Sequence, residues 1–197
     1  MATTQPIRDK KQVKALLNHF ARLNQNRNHL MASLMIHTAL RVSDILSITW
    51  GDVYDFENKR IRKQITIKEG KTKKYKTIAL HKNILKSLNG YLSSKQTPNT
   101  ALMLNPKTGK AITRTQAYRI ISNAAKEVGI EHNVSPHSLR KTFGYLAWKS
   151  NASPTIIMEI YNHTNMATTK RYLGVSQDDK NEVYLGLSLN TNIPSNG

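Results

Sequence analysis

SPHSLRKTFGYLAWKSNASPTIIMEIYNHTNMATTKRY, residues 135–172, is the stretch whose reading decides the fold. It opens on Ser135-Pro136, a helix-capping residue followed by one whose missing N–H would be unpaired in a first helical turn anyway. At 100° per residue, His137, Arg140, Lys141 and Gly144 share one side of that helix, and Leu139, Phe143, Leu146 and Ala147 lie roughly opposite. The spacing predicts a helix that buries its apolar face and holds an imidazole and a guanidinium, three residues apart, on the other. Ser153-Pro154 starts a second helix whose apolar run, Ile156 to Tyr161, ends at Asn162-His163. A third, short helix carries Lys170, Arg171 and Tyr172. Two histidines, an arginine and a tyrosine hydroxyl, with no metal-binding pattern, suit the holding and attack of a phosphate.

The composition agrees. The 197 residues carry 30 Lys+Arg against 12 Asp+Glu, a formal charge of +18, and such an excess favours a polyanion because each neutralised phosphate releases counterions. At 39% hydrophobic the chain can fill a core as one domain. No apolar run approaches ~20 residues and no basic amphipathic helix has a bulky apolar face, so nucleic acid is the expected partner and a membrane is not. The absence of cysteine removes disulfides, thiol nucleophiles and cysteine-ligated metals together. The polar N-terminus, MATTQPIRDKK, lacks the apolar core of a signal peptide, and a cytoplasmic location is expected.

Upstream of the deciding stretch, residues 1–8 read as a flexible lead-in. Val13, Leu16, Leu17 and Phe20 recur at helical spacing, and a second helix, from about His29 to Ala39, is apolar almost all round and belongs in the core. Ser43 or Asp44 starts a further short helix. Ile61, Ile65 and Ile67 form a strand-like run to which Tyr75–Leu80 pairs back as a hairpin, with Glu69-Gly70-Lys71-Thr72 at its tip. From Lys59 through Lys76, both included, there are nine Lys/Arg and one Glu, so the hairpin can track a phosphate backbone. Helices are expected from His81 to Leu92 and from a cap at Thr113 through Val128, with a short strand at 102–104 between them. The acidic pair Asp178-Asp179 starts a terminal helix over 176–188, with Val183, Tyr184 and Leu187, followed by a loose tail, 189–197. The fold class is mainly α with a small antiparallel β-sheet.

Arg41 in ALRVSDIL, Lys71 in EGKTKK, His137 and Arg140 in HSLRKTFG, and His163 and Tyr172 in NHTNMATTKRY follow one another in an order that resembles the catalytic domain of the tyrosine recombinase (phage integrase) family. Each box alone is weak; all of them in order are specific. The resemblance covers residues 9–188, with 9–175 as the catalytic domain. It implies that Arg41 and Arg140 fork onto the non-bridging phosphate oxygens and that Tyr172 is the nucleophile. Lys71 then protonates the leaving oxygen, His137 assists proton transfer at the tyrosine, His163 donates to the phosphate, and Asp44 orients Arg41. Arg60, Arg62, Lys63, Lys73, Lys74, Lys76, Arg114, Lys141, Lys170 and Arg171 are the candidate DNA contacts.

The implied activity is site-specific cleavage and rejoining of double-stranded DNA at a crossover site through a 3′-phosphotyrosyl link, in integration, excision or inversion. No cofactor, metal or ATP is expected. The implied partners are DNA, a homotetramer on it formed from monomers in solution, and accessory DNA-bending proteins. A type IB topoisomerase-like relaxing enzyme and a non-catalytic DNA-binding regulator are the alternatives. Two departures stand out. Tyr161-Asn162-His163 replaces the usual Leu-Gly-His, which asparagine tolerates because it can adopt the left-handed conformation. Arg140-Lys141-Thr142 replaces Arg-His-Thr and is expected to add a phosphate contact. The N-terminal clamp domain common in the family does not precede residue 9, as in the fimbrial phase-variation invertases or in a catalytic domain cut from a longer chain.

Overall fold

The computed structural model describes residues 4–186, and of Arg171 the backbone alone. Two helices, α1 (Lys10–Arg22) and α2 (Asn26–Thr38), lead into the short α3 (Val42–Ser47) and α4 (Trp50–Val53). Three two-stranded antiparallel ribbons follow, interrupted by α5 (Lys82–Tyr91): β1 (Tyr54–Asp55) with β2 (Arg60–Ile61), β3 (Gln64–Lys68) with β4 (Tyr75–Ala79), and β5 (Leu104–Asn105) with β6 (Lys110–Ala111). The chain then runs through α6 (Arg114–Glu127), α7 (Pro136–Lys149), α8 (Pro154–Tyr161), α9 (Met166–Leu173) and α10 (Gln177–Gly186). The expected single sheet is thus three separate ribbons, and the expected strand at 102–104 is mostly core: Leu102 and Met103 are fully buried, and pairing begins at Leu104.

Local chemistry starts the helices where it should. Asp9, Thr113, Ser135, Ser153 and Asn165 each accept a backbone N–H of the helix that follows, and Thr113 and Ser135 close reciprocal capping boxes. α2, with Leu30, Met31, Leu34 and Met35 fully buried, is the axis of the main core and packs against α1, α5 and α7. A second, smaller cluster lies between α7, α8 and α9, where Ile157, Tyr161 and Leu173 pack with Phe143, Trp148 and the ring of Tyr172. The β3–β4 hairpin pairs Gln64 with Ala79 through Lys68 with Tyr75, leaving residues 69–74 as its tip.

Two expectations are corrected. α7 does not bury its apolar face alone, for Arg140, Lys141, Thr142 and Gly144 are buried along with Leu139. The helix packs against α2, α6, α8 and α9 at once, so no full side of it is left for water. Nor is the whole lead-in loose. Ile7 is fully buried with its N–H on Thr142 Oγ1 (2.9 Å), Thr4 O accepts from Lys141 Nζ (2.7 Å), and Arg8 Nη2 donates to Gly174 O (2.8 Å). Leu187, Ser188 and the tail 189–197 lie outside the described residues.

Gly144 marks the tightest contact between α7 and α8. A Cβ there would lie 2.5 Å from Tyr161 Oη, which donates to Arg140 O at 2.6 Å, and 2.9 Å from the tyrosine ring. In an open helix, Gly→Ala gains about 1 kcal/mol. Here Gly144→Ala is expected to lower stability by about 1–3 kcal/mol, because Tyr161 is fully buried and must move. Urea unfolding measures the change, and a stabilised variant would show that the contact has room.

Candidate active site

The C-terminal end of α8, the first turns of α7 and the last turn of α9 meet around Tyr172. Its ring centroid lies 4.5 Å from that of His163, 5.1 Å from His137 and 5.0 Å from Tyr161. The Arg140 guanidinium carbon is 5.8 Å from the Tyr172 ring centre and Lys141 Nζ is 5.7 Å from it. His163 stacks on Tyr161, and its Nδ1 is 3.1 Å from Thr169 Oγ1. The turn that delivers it is left-handed at Asn162 (φ 54°), the conformation the residue type suggests. His137 keeps an exposed edge, but burial of its inner part, with Lys141 and Arg140 nearby, holds its pKa below the ordinary value. The imidazole is therefore neutral at pH 7, fit to accept a proton. Tyr161 is no rival nucleophile: burial pushes its phenol pKa up, and its hydroxyl is committed to Arg140 O.

Arg140 is 2% exposed. Its Nη1 donates to Ala39 O and its Nη2 to Tyr161 O (3.2 Å), while Nε is buried without a hydrogen bond within the protein. Arg41 stands at the start of α3 with its side chain 22% exposed, 3.1 Å from Glu69 Oε1 and 3.9 Å from Asp44 Oδ2. Asp44 Oδ1 accepts the N–H of Gly70 at 3.0 Å, docking the hairpin tip on α3. The two arginines lie close enough for each to feel the other's charge. His137, Arg140, His163 and Tyr172 thus form one cluster, with Arg41 and Asp44 on its flank. Lys71 is exposed at the hairpin tip and makes no hydrogen bond or ion pair to them.

Two side chains of the hairpin behave differently from expectation. Glu69 has no exposed surface; burial alone would raise its pKa, but hydrogen bonds from Thr72 and Asn162 and the charges of Arg41 and Lys76 outweigh it and hold the carboxyl below its usual range. Lys76, read from sequence as a DNA contact on the hairpin surface, turns inward and donates from Nζ to Ile160 O (2.5 Å) at the C-terminal end of α8. Burial lowers its pKa, Glu69 partly offsets this, and the Arg140 and Arg41 charges lower it further, to about 8. Strand alternation carried the signal for both. Glu69 continues the inward series Ile65, Ile67, and Lys76 stands opposite Ile67 in the ribbon. Lys141, expected as an added phosphate contact, is also largely buried.

The remaining candidate DNA contacts Arg60, Arg62, Lys63, Lys73, Lys74, Arg114 and Lys170 are exposed, Arg60 lying 3.7 Å from Asp55. The side chain of Arg171 is outside what the structure describes. Among the described residues, no group of three or more His, Asp or Glu could hold a metal ion, and no helix is long and apolar enough to cross a membrane.

The chain is 32% identical over 185 residues to the Bacillus subtilis (strain 168) protein named "Probable integrase/recombinase YoeC", covering 93% of this chain and 97% of that one. It is 26% identical to tyrosine recombinase XerD of Staphylococcus epidermidis, where 82% of the chain spans 54% of the relative, about half its length. The crystal structure of XerA recombinase shares the fold with a TM-score of 0.76 at 22% identity, over 94% of this chain and 65% of that one. That of XerH bound to palindromic difH substrate does so at 0.70 and 21%, over 94% and 53%. The family description "Phage integrase family" matches residues 8–178, and the chain belongs to that family.

Proposed function

We propose that the protein is a tyrosine-type site-specific recombinase that cuts and rejoins double-stranded DNA through a covalent 3′-phosphotyrosyl intermediate, without metal or ATP. The observation that carries this is Tyr172, held between His137, His163 and the Arg140 guanidinium in one cluster. A phosphodiester is already anionic and resists attack, so fixed donors must neutralise the charge that builds in the transition state. Arg140, with a buried unpaired Nε, and Arg41 supply two of them. His137, neutral at pH 7, takes the Tyr172 proton as Oη attacks phosphorus. The bond to the 5′-oxygen breaks and Lys71 protonates that oxygen, after the hairpin tip closes on DNA. His163 donates to the phosphate, and Asp44 steadies Arg41. Rejoining reverses these steps, since the phosphotyrosine bond keeps the energy of the one it replaced.

Around this centre, the exposed Arg60, Arg62, Lys63, Lys73, Lys74, Arg114 and Lys170, together with Arg171, follow the backbone, and the inward Lys76 and Lys141 raise the potential of the cradle itself. The active assembly is a homotetramer on DNA, and α10, which exposes Val183, Tyr184 and Leu185, docks on a neighbouring protomer.

Nicked duplexes built from sequences that the protein enriches out of a random duplex pool test the chemistry. Incubated in EDTA and run on a denaturing gel, they are expected to give a covalent protein–DNA band that Tyr172→Phe abolishes. DNA binding without that band would favour a DNA-binding regulator, and relaxation of plasmid without strand exchange would favour a topoisomerase. Acidity should act in two places. Cleavage at saturating DNA is expected to fall only below the ordinary histidine value of ~6.5, as His137 takes up a proton. Affinity is expected to weaken as pH rises through about 8, where Lys76 loses its charge, and Lys76→Arg, which stays charged, should flatten that decline. Equal slopes for the two proteins would remove Lys76 from the cradle.

A further inference from the structure

Glu69 is the acidic group at the centre of a basic site, and nothing in the chemistry above uses it. Its carboxylate bonds to three segments. Oε1 lies 3.1 Å from Arg41 Nη1 at the start of α3, and Oε2 accepts from Thr72 Oγ1 (2.7 Å) within the hairpin tip and from Asn162 Nδ2 (2.6 Å) in the left-handed turn after α8. Among the described residues it makes no hydrogen bond to Arg140, His137, His163 or Tyr172. One residue on, Gly70 is docked on Asp44, and the next is Lys71.

We infer that Glu69 is a positioning residue for DNA cleavage, a clasp that aims the Arg41 guanidinium and seats the Lys71 hairpin against the Asn162-His163 turn. The inference rests on the recombinase reading above. Its physical basis is geometric. Arg41, Lys71 and His163 come from three distant parts of the chain, and each must sit on the same phosphate within a fraction of an ångström for the donors to count. A long, partly exposed arginine has many rotamers, and a buried, ionised carboxylate selects one of them. Asn162 ties that choice to the turn that delivers His163, and Thr72 ties it to the tip that carries Lys71.

Glu69→Gln keeps the shape and removes the charge. On the nicked duplex under single-turnover conditions at saturating DNA, it is expected to slow formation of the covalent complex by roughly a hundredfold, the cost of small misplacements. DNA affinity should hold or rise, because the variant is one charge more basic. A merely structural role would instead lower affinity and cleavage together with the unfolding temperature, and that result overturns the inference. An unchanged rate overturns it, and a faster one would mean that the carboxylate competes with phosphate. A second readout needs no DNA. In ¹⁵N spectra, Glu69→Gln is expected to shift the Asn162 side-chain amide and to speed solvent exchange of the Arg41 guanidinium protons, and an unperturbed Arg41 overturns the clasp. Should the wild-type protein form no covalent complex while these signals respond, the recombinase reading fails and the clasp stands.

Discussion

A buried guanidinium is the constraint on which the rest of this structure depends. Arg140 lies at 2% exposure inside a helix packed on every side, where a charge is expensive unless hydrogen-bonded. Its partners are carbonyls, Ala39 O at the end of α2 and Tyr161 O at the end of α8. Both belong to helix C-termini, where unpaired carbonyls and the helix dipole present partial negative charge. Both helices end in a left-handed residue, Ala39 (φ 57°) and Asn162 (φ 54°), and for the alanine that conformation costs about 1–2 kcal/mol. Arg140 therefore joins α2, α7 and α8 at one point, and Tyr161 answers by donating to Arg140 O and filling the space over Gly144.

Around that point the molecule assembles like charges. Arg41 and Lys76 approach Arg140, Lys141 joins it beside the Tyr172 ring, and the depressed pKa of Lys76 records the combined effect of burial and repulsion. Two carboxylates, Glu69 and Asp44, hold the cluster together without neutralising it, and Lys76 leans on the carbonyl end of α8 as Arg140 does. In the proposed reaction an arriving phosphate supplies the missing negative charge, so binding energy and transition-state stabilisation would draw on the same unrelieved field. The rings of His137, His163 and Tyr161 pack on Tyr172, which itself lies against the smaller of the two apolar clusters.

The parts legible in sequence are those that local chemistry decides. Ser135-Pro136, Ser153-Pro154 and Thr113 cap helices because their side chains reach N–H groups two or three residues away. Asn162 takes the left-handed turn because its side chain tolerates it. The α7 wheel set Arg140 and Lys141 opposite the buried face, but the hydrogen-bond partners that allow their burial, Ala39 O, Tyr161 O and Thr4 O, lie elsewhere in the chain. For the same reason Glu69 reads as part of the exposed tip and Lys76 as an outward DNA contact. Their alternation with Ile65 and Ile67 pointed inward, but a charge run is read as a solvated face until a partner for each charge is known.

The sequence by itself determined the helix starts, the hairpin, the polyanion-seeking charge and the order of boxes that marks the family, because each is written in neighbouring residues or in bulk composition. Only the tertiary structure decided which lysine turns inward, that Arg140 is buried against Ala39 O, and that Glu69 joins Arg41 to Asn162. Those facts depend on contacts between residues 28, 93 and 101 positions apart, Arg41 with Glu69, Glu69 with Asn162, and Ala39 with Arg140. Whether a charge is buried is settled by what the folded chain brings to it, and that information does not reside at the charge's own position.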